Sequence, residues 1–362
     1  MEIRAATLTA FYLYDVAEQI DLATLRQTLG AGASAKLRPA TTAPSYLQYQ
    51  TPPLVIEGED VGIAAIEGFT ARLKFFDYGV ISLALTRPFS GSWAELIAAA
   101  QNYIENDALE SRAEAAVRGV ARRCAASMAK LRETYVAEDY LAVAVTALDV
   151  PLTADDLLAH RAETLARIVR GERHPLSRQE QEEVLRHRLS YFANDLVIPT
   201  WNCAFIYDAE PGAVAALELF ELANSQLLEF RYYDGLLDSE LGRIYPMLQH
   251  SSWWNNLFGR GYIRAAEQLH ALFIDVNELT DRTENALKIV GDIYAARVFA
   301  LAASRLGLAR WKQSVDDKLE TLDDVYRFAV EQVAISRGHF LELTVVAILV
   351  LELILFFLGI MK

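Results

Sequence analysis

Cysteine, histidine and basic charge are all scarce in this 362-residue chain, and each shortage closes off a class of function. The two cysteines, Cys124 and Cys203, lie far apart and in no metal-type spacing, the usage of a reducing compartment with buried thiols. Six histidines form neither His-x-x-x-His nor His-Glu-x-x-His, so no built-in zinc site is expected. Against 34 Lys and Arg stand 48 Asp and Glu, a net charge of -14 that repels phosphate backbones at long range and argues against general nucleic-acid binding. A serine nucleophile needs a sharp turn of the Gly-x-Ser-x-Gly kind; the nearest piece, Ser90-Gly91-Ser92-Trp93, reads as a helix cap at Ser92. Gly30 and Gly32 are followed by neither a third glycine nor a Lys-Ser/Thr pair, so residues 30–45 read as a loop and not a phosphate cradle. The N-terminus lacks a basic region and a small-residue cleavage site, and reads as a first strand instead of a secretory signal.

What is present is apolar material: 53% of residues are hydrophobic and mean hydropathy is +0.14, enough for more than one packed unit and incompatible with disorder. From residue 1 to about 210, short strand-like runs alternate with helical stretches, the pattern of an α+β or α/β domain. Strands are predicted over Ala5–Tyr14, Tyr46–Gln50, Phe69–Phe76, Val80–Thr86, Leu141–Leu148 and Val197–Tyr207. Asp77-Tyr78-Gly79 is a turn that closes an antiparallel hairpin. Helices are predicted over Leu22–Leu29, Trp93 to about Leu131, Asp155–Arg170 and Arg178–Phe192, with Ser92 and Thr153 as N-caps.

Past Pro211 strand signals stop. Residues 212–335 read as a helical, coiled-coil stalk or hairpin: one long helix over 212–248, a linker carrying Trp253 and Trp254, and a second helix over about 262–305. Leu269, Phe273, Val276, Thr280, Thr283, Leu287, Val290, Tyr294 and Leu301 mark its seam. After Leu306-Gly307-Leu308 the same spacing resumes through Val315, Leu319, Leu322, Tyr326, Ala329 and Val333. These seams fit an internal helical bundle or self-association. Residues 340–360, FLELTVVAILVLELILFFLGI, are apolar apart from Glu342 and Glu352 and at about 1.5 Å per residue reach roughly 30 Å. They are expected to form one C-terminal transmembrane helix, a tail anchor with the large domain left cytoplasmic. Glu352, near the middle of such a span, would need protonation or a partner helix, which favours oligomerisation through the anchor.

Two further features stand out. Residues 112–132 carry six cations against one acid, and Arg118, Arg122 and Arg123 form either a patch for an anionic partner or a solvated face pairing with acids elsewhere. The pairs Asp155-Asp156, Asp316-Asp317 and Asp323-Asp324 suit Mg²⁺ in type but sit where solvated acids are ordinary.

In combination, Phe76-Asp77-Tyr78-Gly79-Val80, Asn194-Asp195-Leu196-Val197 and the block Ala223-Asn224-Ser225-Gln226-Leu227-Leu228-Glu229-Phe230-Arg231-Tyr232-Tyr233-Asp234 resemble the "required for meiotic nuclear division" family. Leu341-Glu342 and the apolar run after it resemble that family's tail, although Leu343 and Thr344 stand where a tryptophan is expected. The resemblance spans roughly residues 70–360. It implies inner-membrane proteins that build large assemblies and support translation in mitochondria, and it carries over no established enzymatic activity or cofactor; for this chain it implies a bacterial-type homologue at the cytoplasmic membrane. On one helix, Asn224, Gln226, Arg231, Tyr232, Tyr233 and Asp234 place polar groups on an apolar seam, which either fixes packing register, with Arg231 able to pair with Asp234, or lines a partner or ligand site.

The expected function is a tail-anchored membrane scaffold that self-associates and recruits a cytoplasmic protein partner. A nucleotide- or RNA-acting enzyme in the α/β domain, or an RNA or ribosome tether through residues 112–132, are the alternatives. No catalytic residue, metal or cofactor is called for.

Overall fold

The computed structural model describes residues 2–30, 38–39, 47–58, 68–104, 106–249, 273–274, 276–277, 287–289 and 292–357. Its strands are β1 (Ile3–Asp15), β2 (Gln19–Ile20), β3 (Arg38–Pro39), β4 (Leu47–Tyr49), β5 (Leu54–Glu57), β6 (Thr70–Phe75), β7 (Val80–Gly91), β8 (Met128–Ala129), β9 (Val136–Leu148), β10 (Leu196–Pro199), β11 (Cys203–Tyr207) and β12 (Leu287–Ile289). The helices are α1 (Leu22–Gly30), α2 (Trp93–Gln101), α3 (Asp107–Arg123), α4 (Ala154–Arg170), α5 (Arg178–Arg186), α6 (Glu210–Gln249), α7 (Ile293–Leu306) and α8 (Leu308–Phe357). They group into two compact units, Met1–Tyr232 with Arg282–Trp311, and Tyr233–Asp281 with Lys312–Lys362.

The first unit is built on an eight-stranded sheet in the order β10-β11-β9-β1-β7-β6-β5-β3, antiparallel except where β11 runs parallel to β9. β1 lies in the middle, and its buried run from Thr9 to Asp15 lacks in/out alternation because both faces are covered. Its even residues, Leu8, Tyr12 and Tyr14, pack with α2, α3 and α4; its odd residues, Phe11 and Leu13, pack with α6 and α7. Ser92 and Thr153 each cap their helix with a full capping box, and Cys124 and Cys203 are buried free thiols.

Several expectations are corrected here. The single helix expected from Trp93 to Leu131 is two, because Asn102 closes α2 and the Asn106 side chain caps α3 by accepting from Leu109 N. The helix expected over 262–305 is interrupted by β12, which pairs with β4. Trp253 and Trp254, Leu269, Thr280 and Thr283 and most of the 30–45 loop lie outside the described residues.

In the second unit, Tyr233, Leu237 and Leu241 on α6 and Val315, Leu319 and Leu322 on α8 are buried, and Lys318 reaches Asp234 and Asp238, each at 2.7 Å. The membrane anchor is not upheld: among the described residues no helix is long and apolar enough to cross a membrane. The nine uncharged residues between Glu342 and Glu352 reach only about 14 Å at the helical rise, half a hydrocarbon core. With the transmembrane helix go the tail-anchored, single-pass placement at a bacterial cytoplasmic membrane and the in-bilayer role of Glu352.

Candidate functional site

Five polar residues of α6, Glu218, Glu221, Ser225, Glu229 and Tyr232, recur at spacings of three and four along the helix. That period lines one helix face, and the first four residues are buried. The sheet answers with charge of its own. Lys74 on β6 is in register with Ser82 on β7, Ser82 with Leu13 on β1, and Leu13 with Glu138 on β9, so one row across four strands carries a cation, a hydroxyl and a carboxylate. Arg72 lies two residues along β6 on the same face.

Lys74, 1% exposed, is the centre of the arrangement. Its Nζ donates to Glu218 Oε2 at 2.6 Å and also to Glu221 Oε2. Arg72 Nη2 donates to Glu221 at 3.3 Å, its Nη1 lies 3.7 Å from Glu218, and Tyr49 OH donates to Glu218 Oε2 at 3.4 Å. Two cations thus meet two buried carboxylates. Burial works against ionisation of Glu218, but Lys74 and Arg72, with the hydrogen bonds from Lys74 and Tyr49, outweigh it and hold the carboxyl below its ordinary value. Burial and the neighbouring carboxylates push the Tyr49 phenol well above its own.

The stripe continues through neutral and charged partners. Tyr78 OH and Ser225 Oγ are 2.7 Å apart, and burial raises the Tyr78 phenol. Asn224 Nδ2 donates to Phe220 O at 2.8 Å, while its Oδ1 has no hydrogen-bond partner among the described residues. Gln226 is buried nearby in sequence. Arg231 pairs with Glu138 and lies 5.9 Å from the Trp311 ring. Asp234 pairs with Lys318 and accepts from Ser314 at 2.6 Å, so the Arg231–Asp234 pairing suggested by their spacing is replaced by two others. Asp77 and Gly79 serve through backbone: Ile20 N donates to Asp77 O at 2.9 Å and Val16 N to Gly79 O at 3.1 Å. Tyr233 is buried in the second unit.

At one end of the stripe Arg132 Nε lies 2.8 Å from Asp15 Oδ1, and Arg132 Nη1 donates to Tyr232 OH at 2.5 Å. Burial lifts the Asp15 carboxyl to about 6, against the pull of Arg132. A folded-state value above the unfolded one means that the folded chain holds the proton more tightly, so this contribution to stability is present below about pH 4 and is lost as pH rises through about 6. Asp15→Asn is expected to remove up to about 3 kcal/mol of pH dependence across that window. Urea midpoints of both proteins at pH 4 and pH 6.5 check it; a constant difference between them refutes the assignment.

The basic segment divides in the same way. Arg118 donates to Glu114 at 2.5 Å and Glu133 O at 2.8 Å and stacks 4.3 Å from the Tyr135 ring; Lys130 pairs with Glu18. Arg122 and Arg123 are exposed in the last turn of α3. Of the acid pairs, Asp156 is engaged in a helix cap, Asp317 accepts from Gln313, and Asp323 pairs with Arg327. Among the described residues no group of three or more His, Cys, Asp or Glu could hold a metal ion.

Sequence reading missed Arg72, Lys74, Glu218, Glu221, Asp15 and Glu138. A signal existed for three of them: Lys74 interrupts the apolar run from Leu73 to Phe76, and Glu218 and Glu221 fall on the apolar period of α6. Among the described residues the members of this network face one another, and none of them lines either of the two cavities described in the first unit. Its chemistry is to fix helix against sheet. The larger cavity, about 1080 Å³, lies between the α2–α3 turn, the end of α4 and the β10–β11 turn, with Arg173, His174 and Trp201 in its lining.

The uncharacterized protein MJ0711 of Methanocaldococcus jannaschii is 26% identical over 204 residues, 56% of this chain and 61% of that protein. The chain thus covers less than two thirds of the relative's length. No solved structure matches. Residues 5–213 match the model of a family described as "Uncharacterized protein MJ0711, N-terminal domain", a range that takes in the sheet and ends in the first turn of α6, and the chain belongs to that family.

Proposed function

We propose that the protein is a self-associating scaffold that recruits a protein partner. The observation behind the reading is the distal part of α8, where ten apolar side chains from Leu341 to Ile354 are each 48–64% exposed. Contiguous apolar surface of this kind marks an interaction site. Covering each half-exposed side chain is worth about 1 kcal/mol, so on the order of 10 kcal/mol per chain is available. That matches the roughly 4–15 kcal/mol that association costs in lost freedom, and two chains contribute it together. Glu342 and Glu352 lie about 80° apart around the helix, which leaves a wide apolar arc for a second copy. The likeness of residues 223–234 to the "required for meiotic nuclear division" family supports translation machinery as the recruited partner.

Light scattering on the full chain tests self-association. The wild type is expected to form a defined oligomer, and the triple variant Val346→Glu, Leu349→Glu, Leu353→Glu, which charges one face of α8, is expected to fall to a smaller species with unchanged helix content. A wild type that stays monomeric at micromolar concentration overturns the reading.

A further inference from the structure

The cavity between the α2–α3 turn, the end of α4 and the β10–β11 turn holds groups that the fold leaves unused. Several of its polar side chains are committed: Arg170 pairs with Glu180 at 2.7 Å, Gln101 donates to Glu172 O, and Asn106 both caps α3 and donates to Asn102 O. Arg173 and His174, both exposed, have no side-chain partner among the described residues, and Asp107 and Glu172 likewise keep free carboxylates. Trp201 is 59% exposed, with no aromatic partner among the described residues.

The exposed tryptophan is not a loose loop residue. It sits between Thr200 and Asn202 in the turn joining β10 to β11, where Thr200 N donates to Cys203 O at 2.7 Å and the Thr200 hydroxyl accepts from Cys203 N at 3.1 Å. The same hydroxyl donates to Val169 O at 2.9 Å, tying the turn to the last turn of α4, and Leu141 N donates to Asn202 O at 3.0 Å. A large aromatic face is therefore held out by a rigid turn, the condition under which it binds without first paying to be ordered.

We infer that this cavity binds a nucleoside 5′-phosphate. One ligand class draws on an aromatic face, nitrogen donors and a carboxylate together: a base stacks on Trp201, the phosphate meets Arg173 and His174 in charge-assisted hydrogen bonds, and the ribose diol donates to Glu172 or Asp107, the role an acid plays toward ribose in dinucleotide sites. The volume of about 1080 Å³ suffices for such a ligand. The chain's charge of -14 disfavours a long polyanion but not a molecule with a single phosphate.

Calorimetric titration of the full chain with AMP, GMP, CMP and UMP, beside adenosine, ribose 5-phosphate and inorganic phosphate, tests the assignment. At least one nucleotide is expected to bind saturably below millimolar concentration and more tightly than adenosine. Trp201→Ala should weaken nucleotide and nucleoside alike by about tenfold or more, and Arg173→Ala with His174→Ala should bring the nucleotide down to its nucleoside's affinity. Both variants alter exposed side chains, and an unchanged circular dichroism spectrum confirms that they fold. The inference is overturned by no saturable binding of any nucleotide, by phosphate or ribose 5-phosphate binding as tightly as the nucleotide, or by a Trp201→Ala protein that binds unchanged.

Discussion

Lys74→Met is expected to cost about 3–5 kcal/mol of folding stability, the price of leaving buried carboxylates without their central cation. Glu218 and Glu221 are 4% and 0% exposed, and without Lys74 the one cation left facing them among the described residues is Arg72, itself partly open to solvent, with the Tyr49 hydroxyl on Glu218. One carboxylate must then take up a proton, so the deficit should shrink as pH falls toward 4, a carboxyl raised in the folded state giving back stability on acidification. The companion variant Lys74→Met, Glu218→Leu, Glu221→Met removes all three charges, and Arg72 can turn to water. It is expected within about 1 kcal/mol of wild type, because a buried ion cluster and a packed apolar one of similar volume differ little in stability. Urea denaturation of the three proteins at pH 7 and pH 4 decides the matter: a single variant that loses under about 1 kcal/mol would show that Lys74 is not what holds those carboxylates.

The recovered triple variant would also show what the network is for. If it is as stable as wild type, the charges do not hold the fold up; they choose one seating of α6 on the sheet. Apolar contacts between a helix and a flat sheet tolerate sliding, whereas Lys74 between Glu218 and Glu221, Tyr78 against Ser225, and Arg231 against Glu138 are each satisfied in one position alone. A shift by one helical turn would leave several buried polar groups unpaired, at about 1–3 kcal/mol each.

Where structure follows from neighbouring residues, the sequence was a sound guide. β1, the Asp77-Tyr78-Gly79 turn, the capping boxes at Ser92 and Thr153 and the α6 helix each rest on spacings of a few residues. The break at residues 102–106 was harder to read because it contains neither proline nor glycine, only two asparagines whose capping role needs the local backbone to be known. β12 was invisible within an apolar periodic stretch because its partner β4 lies over two hundred residues away. The charged row was illegible for the same reason: that Lys74, Ser82 and Glu138 share a face with Glu218 depends on sheet register, and register is set by pairings distant in sequence. Trp201 falls within what reads as a single strand over Val197–Tyr207, and only the split into β10 and β11 places it on a turn beside α4.

Gly79→Ala is expected to be strongly destabilising. Gly79 has φ of +101°, a conformation that costs an L-residue about 1–3 kcal/mol. A Cβ there would also stand 1.8 Å from Ala17 O. The obstacle is backbone, so no side chain can swing aside, and relief requires moving β1's continuation away from the hairpin; overpacking of this kind adds about 1–3 kcal/mol or more. The neighbouring hydrogen bonds oppose that movement, since Val16 N donates to Gly79 O and Ile20 N to Asp77 O, stitching the turn to the chain that follows β1. A total loss of about 2–6 kcal/mol follows, and the same shift would pull Tyr78 from Ser225 and so loosen α6 from the sheet. Gly119→Ala on α3 is the control, because no heavy atom lies within 4 Å of its added methyl, and alanine inside a helix gains up to about 1 kcal/mol over glycine. Chemical denaturation should therefore give the two substitutions opposite signs. If Gly79→Ala is as well tolerated as Gly119→Ala, the tight approach of the hairpin turn to Ala17 is not a feature of the folded protein, and the register that Tyr78 imposes on α6 loses its anchor.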